Sequence, residues 1–297
     1  MHHKKPYPSC PVCHKSTFIW HRYDTYLHFK CGDKSCNFSF KLPILPPDQL
    51  LVSDELSGRF SFKRFRHPPH LIFLTLTLYF DGYSSTRSIQ RFFLNAYDIS
   101  ISHVTIHSWT KIFAPWFQFV SNNFLPLLDF ASDEWHADET YVKIKGIDYF
   151  LWILLDSETR CVLSFVLSPY RDSNQAFRLF YRARELIPAS PNTIVTDGWA
   201  SYNEAIKNLY PSARHHKYSA FTDDLNNNFI ESFNKTFKAW YKTKKGFGNF
   251  HSALALITTF IFSYNFIHQH SSLSNLSPAQ VAGAVYSNME QKHWLLS

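Results

Sequence analysis

The sequence predicts a mixed α/β protein, a strand-rich sheet with flanking helices, preceded by a small cysteine module and a helical segment. Three observations predict it. Apolar periodicity switches from helical to alternating near residue 135, after which strands and helices interleave. Asp138 and Asp197 interrupt or end apolar strand-like runs, and Glu231 opens a basic helix-like run. Four of the five cysteines fall within residues 1–45.

The elements follow in order. Cys10-Pro-Val-Cys13 and Cys31-Gly-Asp-Lys-Ser-Cys36 form two close pairs separated by 17 residues. Two such knuckles suit tetrahedral coordination of one structural Zn²⁺ by four thiolates. The alternating aromatic stretch Phe18–Phe29 between them fits a ribbon hairpin. Disulfides are the other reading, disfavoured because residues 1–9 are polar and resemble no secretory signal. Pro43, Pro46 and Pro47 then break the chain, residues 46–60 read as a linker, and Lys63, Arg64, Arg66 and His67 form a basic run.

Residues 61–127 read as a helical unit. Two short helices, 84–95 and 102–113, surround a tight polar connection with the dimensions of a helix-turn-helix. Ser102 is the expected N-cap of the second. Val104, Ile106, Trp109 and Ile112 are expected to face inward. His103, Thr105, His107, Ser108 and Lys111 are left outward, where a recognition helix carries its polar contacts to DNA. An ordinary packed helical pair has the same pattern.

From 135, strands are expected near 135–145, 149–156, 160–168, 192–197 and 212–218. Helices are expected at 173–187, 199–208 and from about 228. Asp138 lies in a half-buried strand, and Asp197 ends a β-branched run before Gly198. If those strands are neighbours, their carboxylates converge, and like charges that close call for cations. A pair of divalent ions there would serve phosphodiester chemistry. Local rules also account for each acid separately: Asn228-Phe-Ile-Glu231 has the spacing of a capping box, and Asp197 suits a turn. Glu139, Asp148, Asp156, Asp172, Asp223 and Asp224 read as hairpin or loop residues. After Glu231 come Lys235, Lys238, Lys242, Lys244 and Lys245, with Lys238 two helical turns on and on the same face. These cations suit contacts to a phosphate backbone, and a formal net charge of +7 favours polyanionic partners. The apolar stretch 252–267 carries Ser, Thr, Tyr and Asn, so it reads as a core helix, no membrane partner is expected, and the chain reads as cytosolic.

Asp138-Glu-Thr-Tyr-Val-Lys-Ile-Lys-Gly, Thr196-Asp-Gly-Trp-Ala-Ser-Tyr202, Asn227-Asn-Phe-Ile-Glu231, Lys244-Lys-Gly-Phe247, Tyr264-Asn-Phe-Ile-His268 and Leu276-Ser-Pro-Ala-Gln280 resemble the DDE transposases of prokaryotic insertion sequences. The likeness is to the short group that transposes by replicative cointegrate formation. It is strong over about 130–283 and looser over 71–115. It implies a ribonuclease-H-like catalytic domain over 128–297, with two Mg²⁺ or Mn²⁺ ions held by Asp138, Asp197 and Glu231. It implies nicking of DNA at the element's ends, attack of the freed 3′-hydroxyl on target DNA, and Lys238 as the basic residue after the glutamate. It also implies double-stranded partners, namely the element's terminal repeats and the target. A homodimer or larger assembly in the cytoplasm of a prokaryote, associated with the nucleoid, is the corresponding expectation.

Overall fold

The structure, a computed structural model, describes residues 8–23, 26–43, 62, 65–130, 132–217, 228–292 and 294. The linker expected over 46–60, and Lys63, Arg64, Asp223, Asp224 and Asn227, lie outside them.

Three antiparallel strands come first: β1 (Thr17–Arg22), β2 (Tyr26–Cys31) and β3 (Ser39–Pro43). Their small sheet buries little besides Phe29 and Phe40, which stack on each other. Phe40 also stacks on Tyr181 of a later helix, seating this module on the body of the protein.

The helical unit follows: α1 (Pro69–Leu76) running into a π turn (Thr77–Asp81), α2 (Thr86–Tyr97), α3 (His103–Ile112) and α4 (Ala114–Phe124). Ser85 and Ser102 cap α2 and α3, each accepting from the backbone N–H three residues on. The connection between them turns at Asp98, whose φ of 54° lies in the left-handed region. The inward face of α3 is Ile106, Trp109 and Thr110. Val104 and Ile112, expected inward, are instead 65% and 50% exposed. The reason is tertiary: α3 packs on α1 and α2 on one side and on a late helix on the other, so its free face is the remaining stripe at 104, 108 and 112.

The large sheet comprises β4 (Glu134–Ile144), β5 (Ile147–Asp156), β6 (Val162–Ser168), β7 (Thr193–Thr196) and β8 (Arg214–Lys217) in the order β6-β5-β4-β7-β8. The first three pair antiparallel, and β7 and β8 join in parallel. That order and direction make the sheet ribonuclease-H-like, as the resemblance implied. Helix α5 (Ser173–Leu186), capped by Asp172, is the crossover between β6 and β7, and α6 (Ser201–Leu209) leads on to β8. Asp172 is thus a cap. Asp156 is fully buried at the end of β5, where its carboxylate accepts from Thr159 N–H and Oγ1 at 2.9 and 2.7 Å and from Ser132.

Helix α7 (Asn228–Lys242) buries Ile230, Phe233, Phe237 and Trp240, a stripe at helical spacing. It starts at Asn228, so that residue lies inside the first turn rather than at the cap. Helix α8 (Phe250–Phe262) continues through a π turn (Ser263–Ile267). By length and composition 250–267 would span a bilayer, but 67% of it is buried inside the protein, so its apolar surface is already spent on the core. Asn265 on this turn pairs with the outer, buried edge of β6: its Nδ2 donates to Val162 O at 2.8 Å and its Oδ1 accepts from Val162 N at 2.9 Å. Asn265→Ala would leave both backbone groups buried and unpaired, an expected loss of about 2–3 kcal/mol, measurable by urea unfolding.

Candidate active site

Strands β4 and β7 run side by side only from Glu134↔Thr193 to Ala137↔Thr196. One residue later the chain leaves the sheet, so Asp138 and Asp197 stand together at the point of divergence. Asp197 turns back on itself, its Oδ1 accepting from Trp199 N at 3.0 Å, and Gly198 between them has open space around its Cα. Oxygens of Asp138, Glu139 and Asp197 all lie within 4.8 Å of one another. Glu139 is therefore not a hairpin residue but a third carboxylate in mid-strand, opposite Trp152 of β5.

The three acids are held differently. Glu139 accepts from Tyr202 OH at 2.5 Å and from the Arg171 guanidinium. Arg171 also lies 3.8 Å from Asp197 Oδ2 and stacks over the Trp199 ring at 4.1 Å. Among the described residues, Asp138 has no cation partner. Asn234 Nδ2 of α7 donates to its Oδ2 at 2.8 Å. Burial first, then the negative charge of Glu139, pushes Asp138 from an ordinary 3.8 up to about 7, with Asp197 adding to the effect.

The folded chain thus holds the Asp138 proton more tightly than the unfolded one. The contribution of Asp138 to metal-free stability should be greatest below about pH 4 and fall as the pH rises to about 7. Asp138→Asn is expected to abolish that dependence and to raise metal-free stability at pH 8 by on the order of 2–4 kcal/mol. Urea titrations at pH 5 and pH 8 in chelator would read both.

Beyond Ala137, α7 takes the place of β7 along the open edge of β4. Phe229 meets His136 edge-on, Asn234 meets Asp138, Lys238 donates to Tyr141 O, and Tyr241 OH accepts from Lys143 N at 2.6 Å. Glu231 lies one turn before Asn234 on the same side of the helix, exposed, and is not among the carboxylates within 4.8 Å. The structure therefore brings Asp138 and Asp197 together and leaves Glu231 on an adjoining turn. Lys238 shares that side but folds over the Tyr141 ring at 4.0 Å. Lys242 and Lys245 are exposed. Lys244 is not a surface cation: its ammonium donates to Tyr79 O and Ser84 O at 3.2 and 3.0 Å.

On α3, His103, Thr105, His107 and Lys111 are all half-buried. Thr105 Oγ1 is 2.9 Å from Ser102 Oγ, and His107 and Lys111 turn toward the loop after α7. The side chains missed by pattern reading are Glu139, Arg171, Tyr202 and Asn234. The available signals were the second acid in Asp138-Glu139, the tyrosine ending the motif at 202, and the amide one turn after Glu231.

The cysteine module offers a second metal centre. Sγ atoms of Cys10, Cys13, Cys31 and Cys36 lie within 4.8 Å of one another, with Cys13–Cys31 at 3.4 Å and Cys10–Cys36 at 3.8 Å. A tetrahedral Zn–S₄ site has S···S edges of about 3.8 Å, whereas a disulfide requires about 2 Å. Asp33 N–H points at Cys31 Sγ at 3.4 Å, as in a metal-binding knuckle. The four thiols fit one Zn²⁺.

Residues 132–270 match the family described as a DDE domain. This DDE domain spans just under half of the chain. No curated protein matches the sequence. Among solved structures, the magnesium-bound catalytic core domain of HTLV-2 integrase is similar at 18% identity and a TM-score of 0.39, covering 50% of this chain and 95% of that one. The catalytic core domain of BIV integrase is similar at 13% identity and a TM-score of 0.38, covering 50% and 93%. The DDE domain as matched includes Asp138, Asp197 and Glu231, the whole large sheet and all of α7.

Proposed function

We propose that the protein is a DNA transposase that binds the terminal repeats of an insertion sequence and cuts and joins DNA by in-line phosphoryl transfer. The observation that carries this reading is the meeting of Asp138 and Asp197 where β4 and β7 part, inside a DDE domain. Hard carboxylate oxygens on a narrow, electronegative ledge suit Mg²⁺ or Mn²⁺. Two such ions supply Lewis-acid activation of the attacking oxygen and stabilisation of the leaving one.

In this reading Asp138, Asp197 and Glu231 are the ligands, and Asn234 orients Asp138. Arg171 and Tyr202 neutralise Glu139 and keep it from competing as a ligand. Glu231, exposed on the first turn of α7, completes the set by moving toward the other two, and the contacts of Phe229 and Asn234 support this by keeping that turn beside β4. Lys238 and Lys242 on the same helix, and Lys245 just after its end, receive backbone phosphates. Residues 1–45 form a zinc ribbon, 46–60 a linker, 61–127 a helix-turn-helix domain and 128–297 the catalytic domain. The two ends of an element must be handled together, so the working form is a dimer or larger, acting in the cytoplasm.

The test is joining of a labelled terminal-repeat oligonucleotide to plasmid DNA. Mg²⁺-dependent joined product is the expected result. Cutting without joining would make the protein a nuclease, and binding alone a DNA-binding regulator.

A further inference from the structure

Between the helical unit and the DDE domain lies a cleft of about 490 Å³, walled by α2 and α3 on one side and by residues 243–249 and the start of α8 on the other. Its lining includes Arg87, His107, Lys111, Lys244 and Lys245 and no acidic residue. Two capped helix starts open into it, at Ser85 of α2 and Asn249 of α8, each leaving first-turn backbone N–H groups free of intrahelical partners. Among the described residues, no carboxylate forms an ion pair with these cations. Burial alone pushes Lys244 down to about 7, and burial with Lys111 and His103 nearby lowers His107.

We propose that this cleft holds backbone phosphates of a single DNA strand, gripping it at once from the helical unit and from the catalytic domain. The proposal rests on the DNA reading above and adds a specific place and role. His107 and Lys111 contact phosphate here rather than base edges. Their helix presents Val104, Ser108 and Ile112 to solvent instead of a polar reading face. Lys244, tied to Tyr79 O and Ser84 O, holds the two walls together and keeps a donor for the ligand. The cleft begins just past the C-terminal end of α7, the helix whose Asn234 touches Asp138. From Asn234, which touches Asp138, to Lys242 is about 12 Å along α7, the length of roughly three to four base-pair steps.

The test is fluorescence anisotropy of the full-length protein on a 30-base-pair duplex across about 50–200 mM salt. Lys111→Ala and Lys245→Ala should each lower the slope of log affinity against log salt by about 0.9, and the double variant by about twice that. Lys207→Ala, on the exposed side of α6, should match wild type. Thermal melts establish that each variant is folded, and Arg87→Ala replaces any that is not. Photo-crosslinkers at 111 and 245 should label one strand within about three nucleotides of each other. Wild-type binding with an unchanged slope in the double variant, or labels on opposite strands, overturns the cleft while leaving the DNA reading intact. A wild type that binds no duplex overturns both. Variants that lose affinity for inorganic tripolyphosphate but not for duplex assign the cleft to free polyphosphate, and that too overturns the proposal.

Discussion

Asp197→Asn is expected to lower DNA cutting and joining by about 10³-fold or more while leaving DNA binding in place. The asparagine retains an oxygen for Trp199 N–H, so the turn after β7 survives. What disappears is one negative charge at the point where β4 and β7 part. Single-turnover cleavage in Mg²⁺, with binding measured alongside, separates the two effects. Glu231→Gln should behave like Asp197→Asn, because its place on α7 gives it no other partner among the described contacts. Glu139→Gln should instead act on the fold: the Arg171 guanidinium and Tyr202 OH would face a neutral amide, and lost stability would exceed lost turnover. Full turnover in the Asp197 variant would remove that residue from the metal site.

Stripping metal from the cysteine module is expected to unfold residues 8–43 while leaving the large sheet intact. The module's apolar interior is little more than Phe29 and Phe40 with the sulfurs, far too small to order three strands by burial. Structural Zn²⁺ supplies apparent folding energies of about 10–16 kcal/mol in comparable sites. One zinc per chain is expected from elemental analysis, and Cys31→Ser should lose it. Trp20 is 47% exposed and lies under the Lys30 ammonium, so its fluorescence should report the loss of β1 and β2. Far-UV signal from the DDE domain should persist, because among the described residues the module meets it along α5, as in Phe40 on Tyr181 and Pro11 O on Arg184, and not within the large sheet. A zinc-free module that keeps its fold would disprove the coordination.

Much of this architecture was legible residue by residue. The β-branched run 193–196 is a strand because it is apolar on both sides and buried, and Gly198 marks its end. Ser102 caps α3 as its position before an amphipathic stretch requires. The cysteine pairs announced their own geometry, since knuckle spacing leaves few ways to gather four sulfurs. Less visible were Glu139 and the inward face of α3. Adjacent strand residues normally face opposite sides of a sheet. Glu139 reaches Asp138 and Asp197 only because β4 loses its β7 neighbour after Ala137. For α3, the apolar pattern alone does not reveal that α8 covers a second side, which leaves Val104 and Ile112 outside.

The sequence by itself determined the order of strands and helices, the sulfur cluster and the acids available for chemistry. These depend on alternation, capping and spacing over a few residues, where neighbouring atoms are fixed by covalent geometry. Only the tertiary structure decided which acids meet, which lysine is buried against carbonyls, and that the helical unit and the DDE domain enclose a cationic cleft. Those outcomes depend on where β7 stops and α7 takes over the edge of β4. Contacts between residues 63 to 165 positions apart leave no periodic trace along the chain.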